Sequence, residues 1–183
     1  MIDETLVLDN FEKFSSLNLK DIIDWNTIET QKPYWVDFSK PTTTALDIHS
    51  LLEKWCKNFW NSYIEQNYPD IEFAGAEYWL HDYNGYDSLS FHKDKDEYSL
   101  KNFNETTYPH LGIVYYLHDE EPEGGVLQIQ IPEGELEEIN AWPYRLVVFN
   151  SCYDHNVTPV TKGERKCFVS NLWINAPHEG NFK

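Results

Sequence analysis

Between Thr44 and Asn67 the apolar positions Leu46, Ile48, Leu51, Leu52, Trp55, Phe59, Trp60, Tyr63 and Ile64 recur mainly at intervals of three and four. That spacing puts them on one face of an amphipathic helix. Thr44 and Asp47 resemble a capping pair at its start, and Pro69 in Asn67-Tyr68-Pro69-Asp70 cannot continue it. Before this helix, residues 1–40 show only short apolar runs such as Leu6-Val7-Leu8 and Ile22-Ile23, which predict a short helix or two.

After Pro69 the pattern changes to short segments rich in β-branched and aromatic residues. Strands are predicted near Phe73 to Tyr83, Ser88 to Asp94, Leu111 to Leu117, Val126 to Ile131, Arg145 to Asn150, His155 to Val160 and Arg165 to Ile174. Breaks fall at Asn84-Gly85, the acidic Asp119 to Gly125 turn, Pro132 to Pro143, and Thr161 to Glu164. Lys95 to Pro109 lacks a period and reads as a long loop. Seven or eight antiparallel strands fit a single-domain jelly roll, mainly β with flanking helices, the long helix covering one outer face. The boundaries are an N-terminal segment over 1–72 packing on the roll, a core over 73–176 and a tail over 177–183.

Composition supports one compact unit: in 183 residues, 41% are hydrophobic and 16% aromatic, enough large rings for a sizeable core. Charge narrows the partners. Fourteen Lys and Arg against 31 Asp and Glu leave −17, and the one dense basic stretch, Lys162 to Lys166, is interrupted by Glu164, so nucleic acid is not expected. No apolar run approaches the roughly 20 residues of a membrane span, and Met1-Ile2-Asp3-Glu4 lacks the basic start of a signal peptide, which points to a cytoplasmic protein. Cys56, Cys152 and Cys167 are odd in number and widely spaced, and read as reduced thiols. Without secretion, the sequons Asn104-Glu105-Thr106 and Asn156-Val157-Thr158 carry no chemistry.

Two His-x-acid pairs occur, against roughly one expected by chance. His92-Lys93-Asp94 follows the strand-like Leu89-Ser90-Phe91, where a period of two sets both side chains on one face. His118-Asp119-Glu120 opens the acidic turn, so His118 reads as a solvated loop histidine. His155 is the natural third ligand. Two imidazoles and a carboxylate on one face of a metal leave positions open, the arrangement that suits ferrous iron. Arg165 lies ten residues beyond His155, across a hairpin, and can point into the roll, where a guanidinium needs an anionic partner. A bound dicarboxylate would supply one.

With these residues in place the chain resembles the Fe(II)- and 2-oxoglutarate-dependent oxygenases, particularly the prolyl-hydroxylase-like branch. The likeness covers about residues 73–174: Tyr83, His92-x-Asp94, Val114-Tyr115-Tyr116-Leu117, Gly124-Gly125-Val126-Leu127, His155-x-Val157-x-Pro159 and Arg165 follow in the family's order. The resemblance implies a double-stranded β-helix with His92, Asp94 and His155 as iron ligands. It implies that Arg165 and Tyr116 bind the distal carboxylate of 2-oxoglutarate, that Tyr83 lies over the cosubstrate and that Leu127 packs on its methylenes. Tyr78 and Trp79 are alternatives to Tyr83, since only one residue separates Tyr83 from Gly85. After Arg165, alternation sets Cys167, Val169, Asn171 and Trp173 on one face and turns Lys166 outward, leaving open whether Asn171 or Trp173 approaches substrate.

The implied reaction is hydroxylation of a C–H bond coupled to decarboxylation of 2-oxoglutarate to succinate. Fe(II), 2-oxoglutarate and O2 are required, with ascorbate a candidate reductant. A prolyl residue in a protein or peptide is the leading substrate and a free amino acid or small metabolite the next. A noncatalytic cupin-like metal-binding jelly roll is the alternative from another class; it has no need of Arg165, Tyr116 and Leu127 together. The acidic surface would steer a cationic substrate. Tyr86, Phe91, Tyr98, Phe103 and Tyr108 either form a peptide lid or pack the 95–109 segment onto the roll.

Overall fold

The computed structural model describes residues 5–11, 18–42, 44–83, 85–132 and 134–182. In chain order the elements are β1 (Leu6–Leu8), α1 (Leu19–Ile22), β2 (Tyr34–Asp37), α2 (Ile48–Phe59), a π-helical turn (Trp60–Ile64) and α3 (Glu65–Asn67). Then come β3 (Gly75–Tyr83), β4 (Leu89–His92), α4 (Glu97–Phe103), β5 (Leu111–Tyr116), β6 (Glu123–Gly124), β7 (Leu127–Gln130) and β8 (Leu136–Ile139). The chain closes with β9 (Leu146–Asn150), β10 (Asp154–Val157), β11 (Val160–Lys162), β12 (Arg165–Trp173) and a 3-10 turn over Glu179–Phe182.

Two antiparallel sheets make the jelly roll. The larger has the order β1-β9-β5-β12-β3-β2 and the smaller β4-β10-β7-β8, while β11 and β6 form a short ribbon. Strand β5 shows why the predicted run Leu111-Gly-Ile-Val-Tyr-Tyr is apolar throughout: both of its faces are covered, so every residue is buried. Leu111, Ile113 and Tyr115 face the cluster beneath the helix, while Val114 and Tyr116 face the cluster between the sheets.

The long helix covers the outer face of the large sheet. Trp55 stacks on Tyr115 with ring centroids 5.9 Å apart, and meets Phe168 edge-on at 4.8 Å. The helix begins at Ile48 and not Thr44: the Asp47 carboxylate accepts the Ser50 N–H at 3.1 Å and caps it, which leaves Leu46 exposed outside the apolar face.

Several elements differ from the sequence expectation. Among the described residues of 1–40 there is one short helix, and β1 and β2 are strands at the two edges of the large sheet. The 95–109 segment contains α4, capped by Asp96 accepting the Ser99 N–H at 2.8 Å, and so is not a continuous loop. The expected break over 132–143 contains β8, whose acidic residues suit a sheet edge that shields itself with charge. The strand expected over 155–160 divides into β10 and β11 at Pro159, which has no N–H for the ladder. Met1 to Glu4, Asn84 of the expected Asn84-Gly85 turn, and Glu133 lie outside the described residues. No helix among those described is long and apolar enough to cross a membrane.

Trp55→Ala empties the centre of the outer core and should lower stability by about 3–5 kcal/mol. A urea unfolding midpoint unchanged from wild type would contradict this packing.

Candidate metal and cosubstrate site

Strands β4 and β10 pair so that His92 and His155 are directly opposite, their ring centroids 4.3 Å apart. His92 Nδ1 lies 2.9 Å from the Ser90 carbonyl and His155 Nδ1 3.0 Å from the Tyr153 carbonyl. A carbonyl oxygen only accepts, so each Nδ1 carries a proton, and in the neutral imidazole Nε2 is then the atom left for a metal. Asp94, two residues beyond the end of β4, sets Oδ1 3.6 Å from His92 Nε2 and Oδ2 3.6 Å from His155 Nε2.

These three ligand atoms lie within 4.8 Å of one another. Donors about 2.1 Å from a first-row dication and at right angles would stand about 3 Å apart, so the three side chains would close in on such an ion to hold it. Burial opposes ionisation of Asp94, yet the facing imidazoles hold its carboxyl below the usual range. Burial likewise keeps His155 below the usual imidazole range, which favours the neutral form that a metal needs.

Behind this triad Arg165 is only 1% exposed. Its Nε donates to the Gly125 carbonyl at 2.9 Å, and its terminal nitrogens lie 3.4 Å from Cys167 Sγ and 3.5 Å from the Tyr116 hydroxyl. The guanidinium lies over the rings of Tyr83 and Tyr116, 4.7 and 5.0 Å from their centroids. All of these partners are neutral, and no carboxylate among the described residues forms an ion pair with it. A dry guanidinium surrounded by neutral groups is a site for an anion. Gly125 permits the arrangement: its φ is +64°, and a Cβ there would come within 2.8 Å of Arg165 Cδ.

Leu127, Phe149 and Val157 wall the cavity that runs from His92, Asp94 and His155 to Arg165 and Tyr83. Tyr116 is fully buried beside Arg165 and is not part of the cavity lining. Tyr78 has the opposite parity and packs on the outer face at Phe168, so it is no substitute for Tyr83; Trp79 does line the cavity. Asn171 reaches the cavity, whereas Trp173, on the same face, is buried outside its lining. Lys166 turns outward to Glu164 at 2.5 Å.

His118 is corrected. It is 5% exposed, with Nε2 2.7 Å from the Ala141 carbonyl and Nδ1 3.3 Å from that of Lys166. It ties β12 to the loop before β9, and its position next to an acidic run in the sequence concealed that role. Sequence reasoning also missed Glu77, opposite Asn171 in the β3–β12 ladder. Burial, followed by the charge of Asp94, pushes its carboxyl up to about 7, and the neighbouring Trp173 and Asn171 offset only part of this.

A jelly roll with two imidazoles and a carboxylate at one mouth, and a dry anion site behind them, has the make-up of a metal-dependent enzyme that takes an anionic cosubstrate. The profile of the 2OG-Fe(II) oxygenase superfamily matches residues 78–175, and the chain belongs to that family. Its cofactors are therefore Fe(II), 2-oxoglutarate and O2. No curated protein matches the chain.

Solved structures share the fold at low identity. A Pseudomonas putida prolyl-4-hydroxylase is 18% identical with a TM-score of 0.55, covering 78% of this chain and 72% of that one. The viral collagen prolyl hydroxylase of Paramecium Bursaria Chlorella virus-1, as its 2OG complex, is 14% identical with a TM-score of 0.54, over 92% and 94%. A Trichoplax adhaerens prolyl hydroxylase, in complex with a hypoxia inducible factor oxygen degradation domain peptide fragment, is 13% identical with a TM-score of 0.59, over 98% and 86%.

Asp94→Ala and His155→Ala should each weaken Fe(II) binding at least about ten-fold while leaving the unfolding transition cooperative. Equilibrium dialysis under argon reads this directly, and wild-type affinity in either variant would remove that residue from the ligand set.

Proposed function

We propose that this oxygenase hydroxylates a prolyl residue of a protein or peptide in the cytoplasm, with His92, Asp94 and His155 holding the iron and Arg165 anchoring 2-oxoglutarate. The observation that carries the reading is the uncompensated, buried Arg165 guanidinium behind the triad. Bound iron, 2-oxoglutarate and O2 supply the oxidation, in which decarboxylation to succinate and CO2 accompanies transfer of one oxygen atom into a substrate C–H bond.

The protein's part is to bind, orient and exclude water. Arg165 has the fork geometry to take the distal carboxylate through two N–H donors, and the Tyr116 hydroxyl beside it adds a third. Tyr83 lies over the guanidinium, and Tyr83 and Leu127 line the cavity, where the first would wall the cosubstrate on one side and the second would pack against its methylenes. With two histidines and Asp94 on one face, a bound iron would keep further coordination positions for cosubstrate and oxygen. The apolar walls at Phe149 and Val157 keep water from the oxidising centre.

The prolyl assignment draws on the three prolyl hydroxylases that share the fold. A peptide, in preference to a free amino acid, suits the half-exposed rings of Phe91 and Tyr108 and the exposed Tyr86, which offer stacking surface. A charge of −17 favours a cationic partner and disfavours nucleic acid.

The reading is tested by incubating the Fe(II) protein with 2-oxoglutarate, O2 and proline-containing peptides. Peptide-stimulated succinate release, with one oxygen gained on proline by mass spectrometry, is expected. Stimulation by free amino acids alone would refute the peptide assignment.

Arg165→Ala should raise the 2-oxoglutarate KM by more than about ten-fold while barely moving the Fe(II) requirement. Tyr116→Phe should act in the same direction but more weakly, by about 0.5–1.5 kcal/mol. Equal increases in both requirements in Arg165→Ala would make Arg165 structural.

A further inference from the structure

Outside the triad, a groove of about 260 Å³ opens between β3, the end of β4 and the start of α4, lined by Glu77, Trp79, Lys93, Lys95, Glu97 and Asn171 together with His92 and Asp94. It borders the metal site directly, since Trp79, His92, Asp94 and Asn171 also line the cavity that leads to Arg165. Whatever reaches the metal from this side passes Glu77.

The charges in the groove are unequally satisfied. Lys93 pairs with Asp154 at 3.6 Å and Lys95 with Glu97 at 3.5 Å. Among the described residues no lysine, arginine or histidine comes within ion-pair distance of Glu77. Asn171, opposite it in the ladder, is 2% exposed, and its Oδ1 has no hydrogen-bond partner. The Glu77 carboxylate has only neutral neighbours, Trp173 and Asn171, and although the Trp173 indole N–H is itself without a partner, no cation among the described residues stands within ion-pair distance to compensate the charge. Trp79, next along the same face of β3, presents an indole, the aromatic group best suited to receive a cation.

We propose that Glu77, with Asn171 and Trp79 beside it, is a specificity-determining residue that accepts a cationic group of the substrate, an ammonium or guanidinium, next to the carbon to be hydroxylated. The inference rests on the oxygenase reading and refines its substrate class to a basic peptide. A cation here completes an ion pair in a partly dry groove, and the acidic surface steers the same kind of molecule towards it.

The test uses the full chain loaded anaerobically with Mn(II) and 2-oxoglutarate, and blocked alanine peptides with a central proline. One lysine is placed at each flanking position in turn, against matched series carrying norleucine and glutamate, and binding is read by calorimetry. At least one lysine peptide should bind about ten-fold tighter than both of its counterparts. The isosteric Glu77→Gln should erase that preference without loosening 2-oxoglutarate, and Glu77→Lys should shift it towards the glutamate peptide.

Equal binding of lysine and norleucine peptides, binding of none of them, or a lysine preference that survives Glu77→Gln overturns the proposal, the first two in the wild-type protein alone. Failure of the protein to bind Mn(II) and 2-oxoglutarate would instead refute the oxygenase site. A lysine preference that persists when proline is replaced by alanine supports the role of Glu77 and counts against proline as the target.

Discussion

A guanidinium held out of water without a carboxylate beside it is the constraint on which the interior of this roll depends. Burying such a charge is tolerated only where its donors are met. Every neighbour of Arg165 meets part of that demand. Gly125 supplies a carbonyl and, by lacking a Cβ, the room to approach it; Tyr83 and Tyr116 supply π faces, and Cys167 a soft acceptor. The residues that surround this charge come from β3, β5, β12 and the turn before β7, so the closure of the two sheets and the making of the site are one event.

The metal end follows a different logic. There the strand register, through the His92–His155 pairing, brings two imidazoles together, and the backbone carbonyls of Ser90 and Tyr153 fix which nitrogen each presents. Asp94 stands just past the end of β4, where the chain is free of the ladder and the carboxylate can reach both rings. The outer helix contributes no ligand. By covering the far face of β5 and β12 with Trp55, it allows those strands to be apolar on one side and functional on the other.

Much of this was legible in the chain because it is written locally. The three–four spacing of Leu52, Trp55 and Phe59 announces the helix, and His92-x-Asp94 and His155 with Arg165 ten residues on are short patterns that mark the site. Neither is held by the expected strand alternation or hairpin, since Asp94 lies past the end of β4, and β10 and β12 stand in different sheets. What was illegible depends on partners distant in sequence. β2 and β8 are four-residue edge strands, and the second is acidic; both are stabilised by the ladder they join more than by their own residues. α4 is seven residues long and held by the Asp96 cap and its bonds to the C-terminal turn, which leaves little periodicity to detect. His118 lies beside acids in the chain but under Ala141 in space. Glu77 acquires its meaning only through the register that sets it across from Asn171, ninety-four positions later.

The most direct test of the account is an anaerobic titration with Fe(II) followed by 2-oxoglutarate, monitored in the visible for the weak metal-to-ligand charge-transfer absorption that chelation produces. The account predicts that the band forms in the wild-type protein, is lost in Asp94→Ala, and in Arg165→Ala requires far more 2-oxoglutarate to saturate. Bound iron with no band at any 2-oxoglutarate concentration, or saturation of Arg165→Ala at the wild-type concentration, would contradict it.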